Sequence, residues 1–204
     1  GKKPSFVWHK DTDLGRPDLI VLPGGFSYGD YLRCGAMAAH SPVMKEVIAL
    51  ANKGTRILGV CNGFQMLVET HLLPGALLRN NSLKFICKHV SLRCENADTV
   101  FTGKLKKGDV IRVPIAHGEG NYFADDTTLD AMEENGQIAF RYCNDNGEVV
   151  VAANPNGAAR NIAGVFNAGK TILGMMPHPE NAVMEWQDNL SGLKVFEAIV
   201  EALS

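Results

Sequence analysis

The sequence predicts a single α/β domain. Three observations carry that expectation. Short apolar runs that end in turn residues alternate with stretches of helical spacing. The 204 residues are enough for one sizeable core. No repeat, low-complexity tract or linker-like stretch divides residues 1–204, so they read as one domain.

Leu19-Ile20-Val21-Leu22 is a short apolar run ending in Pro23-Gly24-Gly25, as a buried parallel strand should. Ser41-Pro42 opens a helix, with serine as N-cap and proline at the first helical position. Val43, Met44, Val47, Ile48 and Ala51 keep helical spacing, and Gly54 closes it. Ile57 to Val60 is the next buried strand. A helix follows Cys61 and runs towards Leu72-Leu73, where Pro74-Gly75 stops it. The second half changes character. Phe85 to Leu92, Val110 to Val113, Ile138 to Tyr142 and Val149 to Ala152 are strand-like runs separated by turn residues such as Asn144-Asp145-Asn146-Gly147. From Leu193 to Leu203, apolar residues return to helical spacing.

Composition narrows the function classes. Hydrophobic content of 46% and charged content of 21% are ordinary for a globular chain, and a net charge of −2 gives no nucleic-acid or membrane-binding surface. No apolar run approaches bilayer-spanning length. Five cysteines, an odd number with no C-x-x-C pair, fit a reducing cytoplasmic compartment and neither a zinc site nor a disulfide framework. Cys34, Cys87, Cys94 and Cys143 read as packing residues. Asn80-Asn81-Ser82 matches a glycosylation pattern that the cytoplasmic expectation makes moot.

Cys61 is different. Gly59-Val60-Cys61-Asn62-Gly63-Phe64-Gln65 is G-x-C-x-G at a strand-to-helix junction, the thiol form of a nucleophile elbow. The glycines allow a sharp turn and close chain approach. The helix N-terminus favours a thiolate. A nucleophile needs a base, and Met176-Pro177-His178-Pro179-Glu180 supplies one. The prolines should hold this segment extended, so that His178 and Glu180 point the same way as base and orienting carboxylate.

A rival pattern is present. Gly164-Val165-Phe166-Asn167-Ala168-Gly169-Lys170-Thr171 matches the phosphate-binding loop of NTPases. That motif demands a helix after the lysine. Here a strand-like run broken by Pro177 follows, so Asn167 to Lys170 reads as a hairpin turn.

The elbow with Gln65, the Pro-His-Pro-Glu segment and Leu22-Pro23-Gly24-Gly25 resemble the class I (triad) glutamine amidotransferases. Two further stretches, residues 23–33 and Pro114-Ile115-Ala116-His117-Gly118-Glu119-Gly120-Asn121-Tyr122, resemble the glutaminase subunits of phosphoribosylformylglycinamidine synthases. The resemblance implies a flavodoxin-like three-layer domain with a mostly parallel central sheet. It also implies a further strand and helix ahead of the segment matched by Phe6-Val7-Trp8, which this chain lacks. Cys61, His178 and Glu180 become the catalytic triad. Gly24-Gly25 and the Asn62 amide become oxyanion donors. Gln65 and the His117-Gly118-Glu119 loop become glutamine-binding elements. Apart from the resemblance, the glycine content of Gly24-Gly25 and Gly118-Glu119-Gly120 suits movable loops that docking of a partner would order. No metal or cofactor is expected in the chain. L-glutamine is the substrate, and a large synthetase subunit, with a small accessory subunit, would use ATP and Mg to amidate formylglycinamide ribonucleotide. The alternatives are the glutaminase subunit of another ammonia-using synthase, a related cysteine hydrolase, or a non-catalytic binding protein with Cys61 kept by packing. Phe26 to Arg33, rich in aromatic and small residues, should lie beside the site.

Overall fold

The computed structural model describes residues 3–26 and 34–204. Among them, nine strands form two sheets. The larger has the order β1-β2-β9-β8-β7-β4-β5, with β1 at Leu19–Leu22, β2 at Arg56–Val60, β9 at Ile172–Met175, β8 at Ile162–Phe166, β7 at Ile138–Cys143, β4 at Ile86–Cys94 and β5 at Val110–His117. The smaller pairs β3 (Ala76–Leu78) with β6 (Asn121–Phe123), antiparallel.

The expectation of a mostly parallel sheet needs correction. β1–β2 and β2–β9 are parallel pairings, whereas β9–β8, β8–β7, β7–β4 and β4–β5 are all antiparallel. The connections explain the change. α2 (Pro42–Asn52) lies between β1 and β2 in the chain, the helical crossover a parallel pair requires. β8 and β9 are joined by a tight turn, which permits only antiparallel pairing. Asn167 organises that turn: its carboxamide oxygen accepts from the amides of Thr171 and Ile172. A strand, not a helix, follows Lys170. The GKT pattern is therefore a hairpin, as its flanking residues predict.

α3 (Asn62–Glu69) is shorter than the apolar pattern suggests. Thr70 turns its hydroxyl onto the Met66 carbonyl at 2.8 Å, and the amides of Leu72 and Leu73 both return to Leu67 O. These bonds satisfy the last carbonyls and end the helix. Val149 to Ala152 is not a strand: Val151–Ala153 forms a 3-10 turn and Val151 is exposed. β5 runs four residues past Val113 because Pro114 sits where the proline needs no sheet donor.

The core runs along both halves of the sheet. Ile57, Leu58, Leu173 and Met175 from the parallel half join Leu92, Val113, Phe140 and Val165 from the antiparallel half. α4 (Asp126–Glu134), capped by the Asp125 side chain on the Thr128 amide, contributes Leu129 and Met132, and α5 (Leu193–Ala202) contributes Val195 and Ile199. α1 (Cys34–Ala39) approaches α3 closely, since a Cβ on Gly35 would meet Gln65 Cβ at 2.6 Å. Of the cysteines expected to pack, Cys94 and Cys143 are buried, and burial pushes their thiols up to about 12 and about 11. Cys87 is exposed, because it lies at the end of β4 where Cys87, Lys88 and His89 are all exposed, on both faces of the strand. The Cys34 side chain lies outside the described residues. No helix of the described residues is long and apolar enough to cross a membrane.

Candidate active site

The end of β2 turns into α3 through one strained residue. Cys61 has φ 50° and ψ −104°, a conformation an L-residue adopts at a strain of about 1–3 kcal/mol. The turn exists because its flanking glycines let chains touch. A Cβ on Gly63 would lie 2.0 Å from the Leu22 carbonyl oxygen of β1, and one on Gly59 would lie 2.4 Å from Leu67 Cδ1 and 2.9 Å from the Gly63 backbone. Phe64 fills the space below, stacked on Tyr122 at 6.0 Å, and needs Gly174 of β9 beneath its ring. The Cys61 amide donates to Met175 O at 2.8 Å, so the elbow is fixed to β9 on one side and β1 on the other.

β9 leads directly into the base. The Met176 amide donates to Ala163 O and the His178 amide donates to Pro114 O at 2.8 Å, tying the segment to β8 and to the outer edge of β5. His178 Nδ1 lies 2.6 Å from Glu180 Oε1. The pair forms by a different route from the one the sequence suggests. Pro179–Asn181 is a 3-10 turn rather than an extended strand, and the turn folds Glu180 back onto the ring. Pro179 at the first turn position starts it, since its ring presets the required φ. Gln187 secures the far side by donating to Glu180 O at 3.2 Å.

His178 is buried, and its Nε2 has no partner within hydrogen-bond geometry. Burial pushes its pKa down, but Cys61 and Glu180 on either side overcome this and raise it to about 10. The groups on either side thus favour the imidazolium, the form that can give a proton to a leaving group. Gly24 completes the packing. A Cβ there would lie 2.6 Å from His178 Cε1 and 3.4 Å from Cys61 Cβ, so the backbone after β1 rests directly on the reacting pair.

Asn62 and Gln65 are buried, not exposed helix polar residues. Asn62 Nδ2 donates to Gln65 Oε1 at 2.5 Å, and Gln65 Nε2 donates to Glu119 O at 2.8 Å. The first turn of α3 is thus joined to the segment after β5. Cys61 Sγ lies 3.8 Å from Ala116 O on the same stretch. His117 is 2% exposed, which excludes a surface turn, and its pKa falls to about 4 through burial and then the charge of His178. Glu119 is mostly buried and pairs with Arg79 at 3.8 Å.

The Gly118-Glu119-Gly120 segment is not built as a movable loop. His117 O and Gly118 O accept from the Asn80 side chain and backbone, Glu119 O from Gln65, and Gly120 O from Asn156 Nδ2. The reason is burial: carbonyls withdrawn from water must find donors. Asn80 and Asn156 are the residues that sequence reasoning missed. Asparagines in loops are common, so only the three-dimensional contacts single them out. Residues 27–33, expected beside the site, lie outside the described residues. Phe26 is described: it is exposed and stacks on Phe85 at 6.1 Å. Among the described residues, no cluster of three His, Cys, Asp or Glu could hold a metal.

A buried thiol on a strained elbow, beside an imidazole oriented by a carboxylate, is the arrangement for acyl transfer through a covalent thioester. Comparison with known proteins agrees with this chemistry. The CobB/CobQ-like glutamine amidotransferase domain family matches residues 5–198. The chain is 54% identical over its whole length to phosphoribosylformylglycinamidine synthase subunit PurQ of Rhizobium meliloti (strain 1021), covering 88% of that protein. It is 56% identical to the PurQ of Synechocystis sp. over 94% of this chain and 85% of that one. The structure of PurLQS from Thermotoga maritima matches with a TM-score of 0.85 at 46% identity, over 99% of this chain and 87% of that chain. The chain belongs to the glutamine amidotransferase family and, within it, to the branch whose members are the PurQ subunits of phosphoribosylformylglycinamidine synthase.

Proposed function

We propose that this chain is the glutaminase subunit of a phosphoribosylformylglycinamidine synthase. It hydrolyses L-glutamine to glutamate and ammonia and passes the ammonia to a synthetase subunit. The observation that carries the chemistry is the Cys61–His178–Glu180 arrangement: a buried imidazole facing the elbow cysteine on one side and a carboxylate at 2.6 Å on the other. The identities of the relatives support the choice of synthase over another ammonia-using enzyme.

In this mechanism the Cys61 thiolate attacks the side-chain carboxamide of glutamine. The Asn62 amide at the start of α3 and the Gly24-Gly25 backbone stabilise the tetrahedral oxyanion. The His178 imidazolium gives its proton to departing ammonia and then acts as base for the water that hydrolyses the glutamyl thioester. Glu180 holds the ring in place and balances its charge. Gln65, His117, Gly118 and Glu119 line the glutamine side of the site. ATP, Mg and formylglycinamide ribonucleotide act on the partner, so the chain itself carries no cofactor. A cytoplasmic location fits the free thiols.

Glutamate release measured with and without the synthetase tests the assignment. Cys61→Ala should lower glutamine hydrolysis by about 10⁴-fold or more, because the covalent route is gone. Synthesis from added ammonia by the assembled complex should persist. Hydrolysis retained in that variant would refute the role of Cys61. The Cys61→Ala/His178→Ala double variant should be little worse than either single change, since the residues act as a unit.

A further inference from the structure

Asn80 is fully buried two residues past the end of β3, and all of its polar atoms are engaged. Its Nδ2 donates to Lys84 O and to His117 O, both at 2.8 Å. Its Oδ1 faces the Gly120 amide at 3.2 Å and His117 Nδ1 at 3.0 Å. The orientation of the carboxamide is fixed by its backbone partners. Two carbonyls can only accept, so they must face the NH2 group, and the Gly120 N–H can only donate, so it must face the oxygen. His117 Nδ1 therefore meets an acceptor and must carry the proton. Nε2 is left as a bare acceptor, buried and without a partner. The ring cannot shift away, because it lies against Gly120 so closely that a Cβ there would come within 2.3 Å of Cε1.

We propose that Asn80 is a positioning residue for glutamine hydrolysis: it fixes His117 as the Nδ1–H tautomer and clamps the His117–Gly120 turn, so that His117 Nε2 stands as a permanent acceptor for an N–H of the bound substrate. This deepens the glutaminase assignment and rests on it. The turn reaches the nucleophile helix by a second path, through the Glu119 carbonyl that Gln65 holds. Asn80 thus sets both the acceptor and the wall on which glutamine is seated, without touching the reacting atoms. Burial lowers the His117 pKa to about 4, which keeps Nε2 bare at working pH. The groups facing the ring are Asn80, the Gly120 backbone and, by charge, His178 on the segment after β9. The same burial means that Asn80, although it sits in a glycosylation pattern, has no access to a modifying enzyme.

The test uses the full chain assembled with its synthetase. Asn80→Ala should raise the KM for glutamine by about 10- to 100-fold, the scale of a misplacement near 1 Å, with kcat changed far less. The fraction of Cys61 alkylated by iodoacetamide should stay that of the wild type. A lesion of folding alone would lower kcat and alkylation together and leave KM unmoved, and that result would overturn the proposal. Asn80→Asp covers the case in which the alanine variant fails to fold. It keeps the acceptor for Gly120 and His117, so KM at pH 8 should lie between wild type and Asn80→Ala. Its carboxylate would raise the His117 pKa, so kcat/KM should acquire an acid limb absent from the wild type. An unchanged KM and pH profile in the folded Asp variant would also overturn the proposal. Nitrogen NMR of the wild-type imidazoles tests the tautomer without reference to activity: His117 should be protonated at Nδ1 only, and protonation at Nε2 would refute it. Failure of the wild type to hydrolyse glutamine would sink the functional assignment instead, leaving the tautomer result to stand or fall alone.

Discussion

Gly24-Gly25 and Gly118-Glu119-Gly120 have similar composition and both lie beside the Cys61 elbow, yet they are held in opposite ways. In the second segment each carbonyl from His117 to Gly120 has a donor, and two of the donors come from buried asparagine side chains. In the first, among the described residues, no hydrogen bond is made by Gly24, Gly25 or Phe26. A Cβ on Gly24 would meet His178 and Cys61, so this backbone lies against both. Glycine therefore serves two different needs here. At Gly120 it makes room for the His117 ring inside a rigid turn. At Gly24 it lets the backbone after β1 lie on the catalytic pair. Among the described residues, the Gly24-Gly25 segment is the less tied of the two.

Acid should stress the clamped turn most. The His117 imidazole titrates near 6.5 when unfolded and near 4 when folded. Between those values the unfolded chain binds the extra proton. The contribution to stability is complete above pH 6.5 and is lost as pH falls through about 4. On the order of 3 kcal/mol is involved. Urea unfolding at pH 7.5 and pH 4.5 should show this loss in the wild type and a smaller one in His117→Gln. Equal losses in the two proteins would contradict a neutral buried His117.

The next effect separates the two segments by readout. Gly24→Ala should cut glutamine hydrolysis by roughly 10²-fold, because its Cβ displaces His178. Stability should change little, since among the described residues no hydrogen bond of Gly24 would be broken. Gly120→Ala differs, because Asn80 and Asn156 hold its amide and carbonyl. It should lose about 1–3 kcal/mol in stability as well as activity. Thermal unfolding of both variants decides whether this distinction holds.

The smallest effects sharpen it. Gly118→Ala meets nothing closer than Phe85 Cδ2 at 4.0 Å and should stay within about ±0.5 kcal/mol of the wild type. Lys170→Ala, on the β8–β9 turn, should be equally silent in stability and in glutamine hydrolysis. A large loss at Gly118 would mean that the turn is tighter than its contacts indicate.

The local features were the legible ones. The elbow could be read from residues 59–65 because strand, glycine spacing and helix are contiguous there. The hairpin at Asn167 could be read because the residues after Lys170 cannot start a helix. Pairing of His178 with Glu180 was foreseen from their spacing, although the turn that produces it was not, since Pro179 permits both an extended and a 3-10 course. The antiparallel half escaped because strand direction depends on which distant strands pair. The asparagine clamps escaped for the same reason: Asn80 acts on residues nearly forty positions away, and no local pattern marks such a bond.

Pro114 has a consequence beyond the placement of His178. On β5, the last strand of the sheet, it presents outward a carbonyl already taken by the His178 amide and a nitrogen with no proton to offer. The strand is thereby blunted against pairing with a strand of another molecule. The stretch that carries the base also shields an adhesive border. A change that frees this stretch from β5 should therefore give a protein that self-associates as well as one that is inactive, and light scattering would register the first defect where an activity assay sees only the second.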